Sequence, residues 1–378
     1  MPKTSPRNAA KPFGQTVLVL PGGGALGAYQ LGVYQAMHEA GIEPDWLVGT
    51  SIGAINGALI AGNHPNKRLE RLHDFWDRME FNKGNPFSAY WGALTQSPNS
   101  LNTINTLLGG IPGFFKPNPD ALLGQRAKIG IERASYYSAE PLKQTLRELI
   151  DLDYLQSGKT RLTVGAVNAN TGAMRYFDSR VDKLTVDHIC ASCALPPAFA
   201  AVRIDGEPYW DGGIYSNTPL EVVLDDNPRR DSTLFTVQLW SPEGPEPQSL
   251  WDVGDRQKDI QFSSRDNSHI ARQQQIHHLR HIIRELSVRL PDKIRSSAEA
   301  KALSAWGCGT TLHVVRMLAP RLPGEDQTKD IDFSANGIRT RWQAGLTDTQ
   351  RAIAAAPWRN AVDRTEGVIV HDFDHLAA

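Results

Sequence analysis

Ser51 stands in Gly49-Thr50-Ser51-Ile52-Gly53, a match to G-x-S-x-G. In that pattern the serine occupies a sharp strand-to-helix turn that lifts its hydroxyl above a sheet edge, and the flanking glycines leave room for it. The helix that follows aims the positive end of its dipole at the hydroxyl, which favours negative charge developing there. Upstream lies Pro21-Gly22-Gly23-Gly24-Ala25-Leu26-Gly27. Without Cβ atoms, Gly22, Gly23 and Gly24 can take positive φ and offer backbone N–H groups to an oxyanion. Far downstream, Asp211-Gly212-Gly213 places a carboxylate in a tight turn. A nucleophile, amide donors and a carboxylate are the parts that acyl transfer to water requires.

The proton acceptor is the open choice. The order Ser51, Asp211, His313 would satisfy a triad. In a standard α/β-hydrolase, however, the nucleophile turn follows several strands, whereas here it follows the second and the glycine loop follows the first. No histidine neighbours Asp211; the nearest in sequence is His188, in a predicted helix. Asp211 is therefore expected to take the Ser51 proton directly, as a carboxylate held within reach and partly desolvated can.

A nucleotide fold competes for the same glycines. Gly22-x-Gly24-x-x-Gly27, after a strand and before a helix, also fits the dinucleotide fingerprint, with Glu43 or Asp45 as the ribose-binding acid. The serine turn speaks against it, because it falls where the second strand of that fold would end in the acid.

The elements that must position these groups can be read around them. Thr16-Val17-Leu18-Val19-Leu20 has the unbroken apolar run of a strand buried on both faces. A helix follows with Tyr29, Val33, Ala36, Met37 and Ala40 at helical spacing, and Gly41 ends it. Trp46-Leu47-Val48 is a second strand, and Ala54 to Ala61 a helix of small residues ended by Gly62. Leu69, Leu72, Phe75, Trp76 and Met79 share one face of a further helix. Ser138 to Ile150 reads as a helix with Pro141 in its first turn, Arg161–Val167 with Met174–Phe177 as a hairpin, and Val186 to Ala194 as a helix. Val202–Ile204 and Pro208–Trp210, turning at Asp205-Gly206, form a hairpin that delivers Asp211 at a strand end. Leu234 to Trp240 is the last strand of this core. The expectation is an α/β fold with a mostly parallel sheet and helices on both faces.

Taken together, the glycine loop, the serine turn and Asp211-Gly212-Gly213 resemble a patatin-like phospholipase domain over residues 15–240. Ala191-Ser192-x-Ala194-x-Pro196-Pro197-x-Phe199 and the stretch from Tyr209 through Asn217-x-Pro219 are similar to the same family. The resemblance implies a three-layer fold and a lipid acyl-ester hydrolase. It assigns Ser51 and Asp211 as a catalytic dyad, Gly22, Gly23 and Gly24 as the oxyanion loop, and Gly27, Gly49, Gly53, Gly212 and Gly213 as motif support. Many members have Arg or Lys where this chain has Leu26, which removes any loop cation but not the backbone donors.

The 378 residues allow one large or two ordinary domains, and their net charge of −1 points to no nucleic-acid partner. Cys190-x-x-Cys193 lacks the second pair of a zinc site and lies in an apolar run, so buried structural thiols are expected. The chain reads as cytoplasmic, with peripheral contact at the inner membrane surface. Residues 1–14, with Lys3, Arg7 and Lys11, read as a disordered arm. No stretch approaches the apolar length of a membrane span, so lipid would be met at the surface.

Residues 83–119 combine Gly, Pro, Asn and Ser with Phe87, Tyr90, Trp91, Leu107, Leu108, Ile111, Phe114 and Phe115, a composition for a cap over the site. Weak membrane contact is expected near Phe114-Phe115. Residues 241–259 read as a linker, and 260–378 as a largely helical extension packing on the core, similar to one found on some bacterial members of the family. In it, Ile276, Leu279, Ile283, Leu286 and Leu290 form an apolar stripe among Arg272, His277, His278, Arg280, His281 and Arg284. That helix packs on the core or lies on anionic lipid. The histidines have no acidic or cysteine partner at helical spacing, so no metal is expected, and no cofactor. Thr311 to Met317 reads as a strand and Asp332 to Ile353 as a helix. The expected substrate is a lipid or other acyl ester. A thioester, a hydroxyalkanoate ester, or a catalytically silent module that binds membranes or partners are the rival readings, and the oligomeric state stays open.

Overall fold

The computed structural model describes residues 11–80, 109–263, 266–322, 325–363 and 365–373. Among them nine strands form one sheet: β1 (Gln15–Leu20), β2 (Trp46–Gly49), β3 (Arg161–Asn168), β4 (Met174–Asp178), β5 (Val202–Ile204), β6 (Glu207–Asp211), β7 (Ser232–Gln238), β8 (Leu312–Leu318) and β9 (Val368–Phe373). Their order is β9-β8-β7-β1-β2-β3-β6-β5, with β4 also on β3. From β9 to β3 every pairing is parallel, and β4, β5 and β6 join antiparallel.

Two faces of this sheet are covered, as the apolar strands require. Val17 and Val19 of β1 pack with Trp46, Val48 and Leu234 on one side. Leu18 and Leu20 meet the helices α1 (Ala28–Glu39), α2 (Ile52–Ala61) and α3 (Pro65–Met79) on the other. The helices α4 (Glu140–Leu149) and α5 (Val186–Ser192) complete that second layer through Leu142, Leu146 and Ile189.

One register places the site. Gly49 of β2 pairs with Val164 of β3, and Asp211 of β6 pairs with Ala166. Since β4 already occupies the other edge of β3 along Thr163 to Val167, β6 takes the edge that β2 leaves after Gly49. The residue after Thr50 and the last residue of β6 thus meet at one point of the sheet. Strand order also reverses beside β1, where β2 lies on one side and β7 on the other, so the loop after β1 borders the crevice where such sheets bind ligands.

The C-terminal part is built into the domain. β8 and β9 extend the sheet, and helix α8 (Ala335–Ala355) lies against α1. The contact is backbone to backbone: a Cβ on Gly32 would stand 2.0 Å from the Trp342 carbonyl oxygen, and one on Gly345 would stand 2.1 Å from that of Tyr29. The β8 strand and α8 match the sequence expectation; β9 is an additional strand, whose local signal is Val368-Ile369-Val370.

Three expectations need correction. The stretch 241–259 is not irregular throughout, because helix α6 (Leu250–Ser263) begins within it and buries Asp255 and Asp259. Helix α7 (Asp266–Arg289) does not bury the expected stripe; Leu279 and Leu286 are exposed, and its buried face carries Ile270, Gln273, His277 and His281. Three of these four buried positions are polar, so an apolar period does not mark this face. Of the expected arm, residues 1–10 lie outside the described residues, while Phe13 is tied down by its backbone N–H, which donates a hydrogen bond to Thr233 Oγ1 at 3.0 Å. Of the expected cap, residues 83–108 lie outside them too. Among the described residues no helix is long and apolar enough to cross a membrane.

Candidate active site

The turn after β2 puts Ser51 at φ 55, ψ −126, a conformation side chains rarely take and one that projects its hydroxyl from the turn. Neighbouring groups hold it there. Its amide donates to Ser192 Oγ at 3.0 Å, and Ser192 Oγ donates to the Gly165 carbonyl at 2.6 Å. The Cys193 thiol donates to the Ser51 carbonyl at 3.2 Å. Close packing explains the flanking glycines: a Cβ on Gly53 would stand 2.0 Å from the Leu20 carbonyl oxygen, and one on Gly49 would stand 2.4 Å from that of Gly53. Gly27 is likewise filled against Ile52, and Gly212 against Gly165.

Asp211 ends β6 at 2% exposure. Its carboxylate accepts from the Ser51 hydroxyl and, at 2.7 Å, from the Gly213 amide. Desolvation pushes its pKa up to about 7, against the opposing pull of those two hydrogen bonds. It is thus poised to exchange a proton near neutral pH.

The glycine loop is oriented by residues far along the chain. The Gly22 carbonyl accepts from Trp240 Nε1 at 2.9 Å and from Asn217 Nδ2 at 3.1 Å. The C=O and N–H of one trans peptide point in opposite directions, so these anchors turn the Gly23 amide the other way. The Gly22 amide itself donates to the Asn217 carbonyl at 3.3 Å. Gly22 is therefore a strut rather than a free donor, which corrects the expectation of three equivalent amides. Among the described residues, the amides of Gly23 and Gly24 donate to no backbone carbonyl.

Gly22, Gly23, Gly24, Ser51, Asp211, Gly213 and Asn217 line one cavity of about 180 Å³. Beside Cys193 and Asp330, the rest of its wall is aromatic and aliphatic, chiefly Phe114, Phe115, Tyr137, Leu195, Phe199, Trp240, Phe262, Ile331 and Phe333. Phe115 is buried and packs edge-on against Tyr137 and Phe199. The Phe114-Phe115 pair thus faces the cavity, and does not form the outward lipid-facing patch expected of it. Among the described residues no histidine lines this cavity. His313 sits at the start of β8, away from the C-terminal strand ends, where it stacks on His371 and burial pushes its pKa down to about 4. His188 caps its own helix through Thr185. Glu43 is tied to Arg68 at 2.5 Å and Asp45 to the Thr16 amide at 2.8 Å, so neither acid is free for a ribose.

Sequence reasoning missed Trp240, Phe262 and Phe333 as site residues, since nothing local marks them. Cys190 and Cys193 are buried free thiols, as expected, with both thiol pKa values raised by desolvation.

A family model described as patatin-like phospholipase matches residues 18–224, and a second, described as patatin phospholipase, matches residues 260–365. Lysophospholipase nte1 of Aspergillus terreus is 57% identical over 56 residues, 15% of this chain and 4% of that protein. Human patatin-like phospholipase domain-containing protein 6 is 44% identical over 64 residues, 17% of this chain and 5% of that protein. Triacylglycerol lipase 4 of Saccharomyces cerevisiae is 23% identical over 194 residues, 50% and 18% of the two chains. The match thus spans less than a fifth of each of these relatives. Among solved structures, VipD of Legionella pneumophila aligns over 88% of this chain and 67% of its own at 15% identity, with a TM-score of 0.35. The first model alone covers more than half of the chain, and the chain belongs to the patatin-like phospholipase family.

Proposed function

We propose that this protein hydrolyses acyl esters of lipids through a Ser51–Asp211 dyad, with the Gly23 and Gly24 amides as oxyanion donors. The observation that carries this reading is the bond from the Ser51 hydroxyl to a buried carboxylate whose pKa lies near 7, at the wall of an apolar cavity. Asp211 takes the hydroxyl proton as Ser51 Oγ attacks the acyl carbon. The carbonyl oxygen becomes an oxyanion beside the glycine loop, where amides fixed in advance stabilise it without reorganisation. Asp211 then returns the proton to the departing alcohol, leaving an acyl-serine. Water, deprotonated by Asp211, attacks that ester and releases the fatty acid, and the proton restores Ser51.

The acyl chain is assigned to the aromatic wall. Phe333 and Ile331 there come from the region matched by the second family model, so the C-terminal part contributes to the substrate pocket in this reading. Covalent labelling by a fluorophosphonate probe tests it, because the reaction requires an activated serine. Labelling that maps to Ser51 and is lost in Ser51→Ala is expected. A folded protein that resists the probe and hydrolyses none of a panel of phospholipid, lysophospholipid and triacylglycerol substrates would remove the proposal.

A further inference from the structure

Residues 118–135 form a loop drawn closed at its base, where Asn118 Nδ2 donates to the Arg133 and Ser135 carbonyls, each at 2.9 Å. The base is fastened to the cavity wall: the Tyr136 and Tyr137 amides donate to the Pro197 and Ala198 carbonyls at 3.1 and 2.9 Å. Tyr137 and Ala198 line the cavity. Leu195, also in its lining, is 37% exposed and marks an opening beside the loop.

Within the loop, the turn Pro119–Leu123 holds Leu122 90% exposed and Leu123 62% exposed. One exposed leucine is ordinary. This adjacent pair stands among cations that lack counter-charge. The loop's two acids are taken, Asp120 by Arg133 at 2.8 Å and Glu132 by Arg203. Lys116, Arg126 and Lys128 are exposed and, among the described residues, pair with no carboxylate. An exposed apolar pair with unpaired cations on and beside the same loop is complementary to a surface with an apolar interior and anionic heads.

We propose that this loop docks the protein on an anionic lipid surface. Leu122 and Leu123 insert among the acyl chains, Lys116, Arg126 and Lys128 meet the headgroups, and the cavity mouth faces the bilayer. The inference rests on the reading of that cavity as a lipid-ester site.

Vesicle sedimentation of the full chain carrying Ser51→Ala, which spares the lipid, tests it. Binding to phosphatidylcholine vesicles containing about one-third phosphatidylglycerol is expected to exceed binding to pure phosphatidylcholine by about tenfold or more, and to weaken with salt. Replacing Lys116, Arg126 and Lys128 by Gln should lower it by about 10²-fold, at roughly fivefold per cation. Leu122→Ser with Leu123→Ser should lower it at least about tenfold. Leu122→Trp should blue-shift its added fluorescence on contact with the vesicles. No preference for anionic vesicles, or full binding by either set of variants at unchanged thermal midpoint, overturns the proposal, as does an unshifted Leu122→Trp spectrum. Wild-type hydrolysis of a soluble short-chain ester is measured alongside. Hydrolysis without vesicle binding overturns the docking alone; vesicle binding by the loop without any ester hydrolysis supports the docking and overturns the catalytic reading.

Discussion

A Cβ placed on Gly24 would stand 2.2 Å from the carbonyl oxygen of Asp330, more than three hundred positions away in the chain. The loop after the first strand and the segment before helix α8 are thus in backbone contact. Asp330 is held in turn by Lys258 of helix α6, with Nζ 2.7 Å from its carboxylate. The C-terminal region fixes the shape of the glycine loop as well as closing the cavity.

Gly24→Ala is expected to fail on two counts, its positive φ of 52° and the collision with Asp330. Strain of this kind costs about 1–3 kcal/mol, and a displaced oxyanion donor costs about 10²-fold in kcat. Ester hydrolysis and urea denaturation of the same variant measure both. Full activity would assign the loop another task.

Trp240→Phe keeps an aromatic ring but removes the donor to the Gly22 carbonyl. With Asn217 still in place, kcat should fall by about tenfold while KM for a short ester changes little, since the lost bond acts through loop orientation. A rise in KM alone would make Trp240 a wall residue only.

Loss of activity is expected for Ser51→Ala and for Asp211→Asn, with each histidine replaced singly by Gln staying within a few-fold of wild type. One folded histidine variant as inactive as Ser51→Ala would replace the dyad with a triad.

The pH profile follows from Asp211. As the base it must be ionised, so kcat/KM should fall below about pH 7, tenfold per pH unit on the acid limb. Stability runs the opposite way. A carboxyl whose folded pKa exceeds its unfolded value of about 3.9 contributes stability that is fully present below about pH 4 and lost as pH rises through about 7. Asp211→Asn, neutral at every pH, should therefore be inactive yet more stable than wild type at pH 8, by up to roughly 4 kcal/mol. Equal denaturation midpoints at pH 8 would mean that Asp211 carries no desolvation cost.

Phe333 lies between Trp76 and Phe114, with ring centroids 6.3 and 5.8 Å away. Phe333→Ala should cost about 3–5 kcal/mol and move the kcat/KM optimum toward longer acyl chains by opening the cavity. An unchanged chain-length profile would place the acyl group elsewhere.

The proposed site was legible in the sequence because its geometry is local. The Ser51 turn requires Gly49 and Gly53 within two positions, the first glycine loop is contiguous, and Asp211 is delivered by a hairpin whose turn, Asp205-Gly206, takes the positive φ that the pair permits. Strand and helix periods in the first half follow from burial on one face or two, and one chain suffices to read them. Tertiary structure decided what depends on contacts between distant segments. Only the shared edge of β3 brings Ser51 to Asp211, and only the approach of Asn217 and Trp240 makes Gly22 a strut and frees Gly23. Burial alone, a property of the packed whole, moves the Asp211 pKa toward neutrality. The cavity wall is assembled from Phe114, Phe199 and Phe333, three rings whose spacing in the chain carries no period, and the exposure of Leu122 and Leu123 is a property of the packed chain that no local pattern carries.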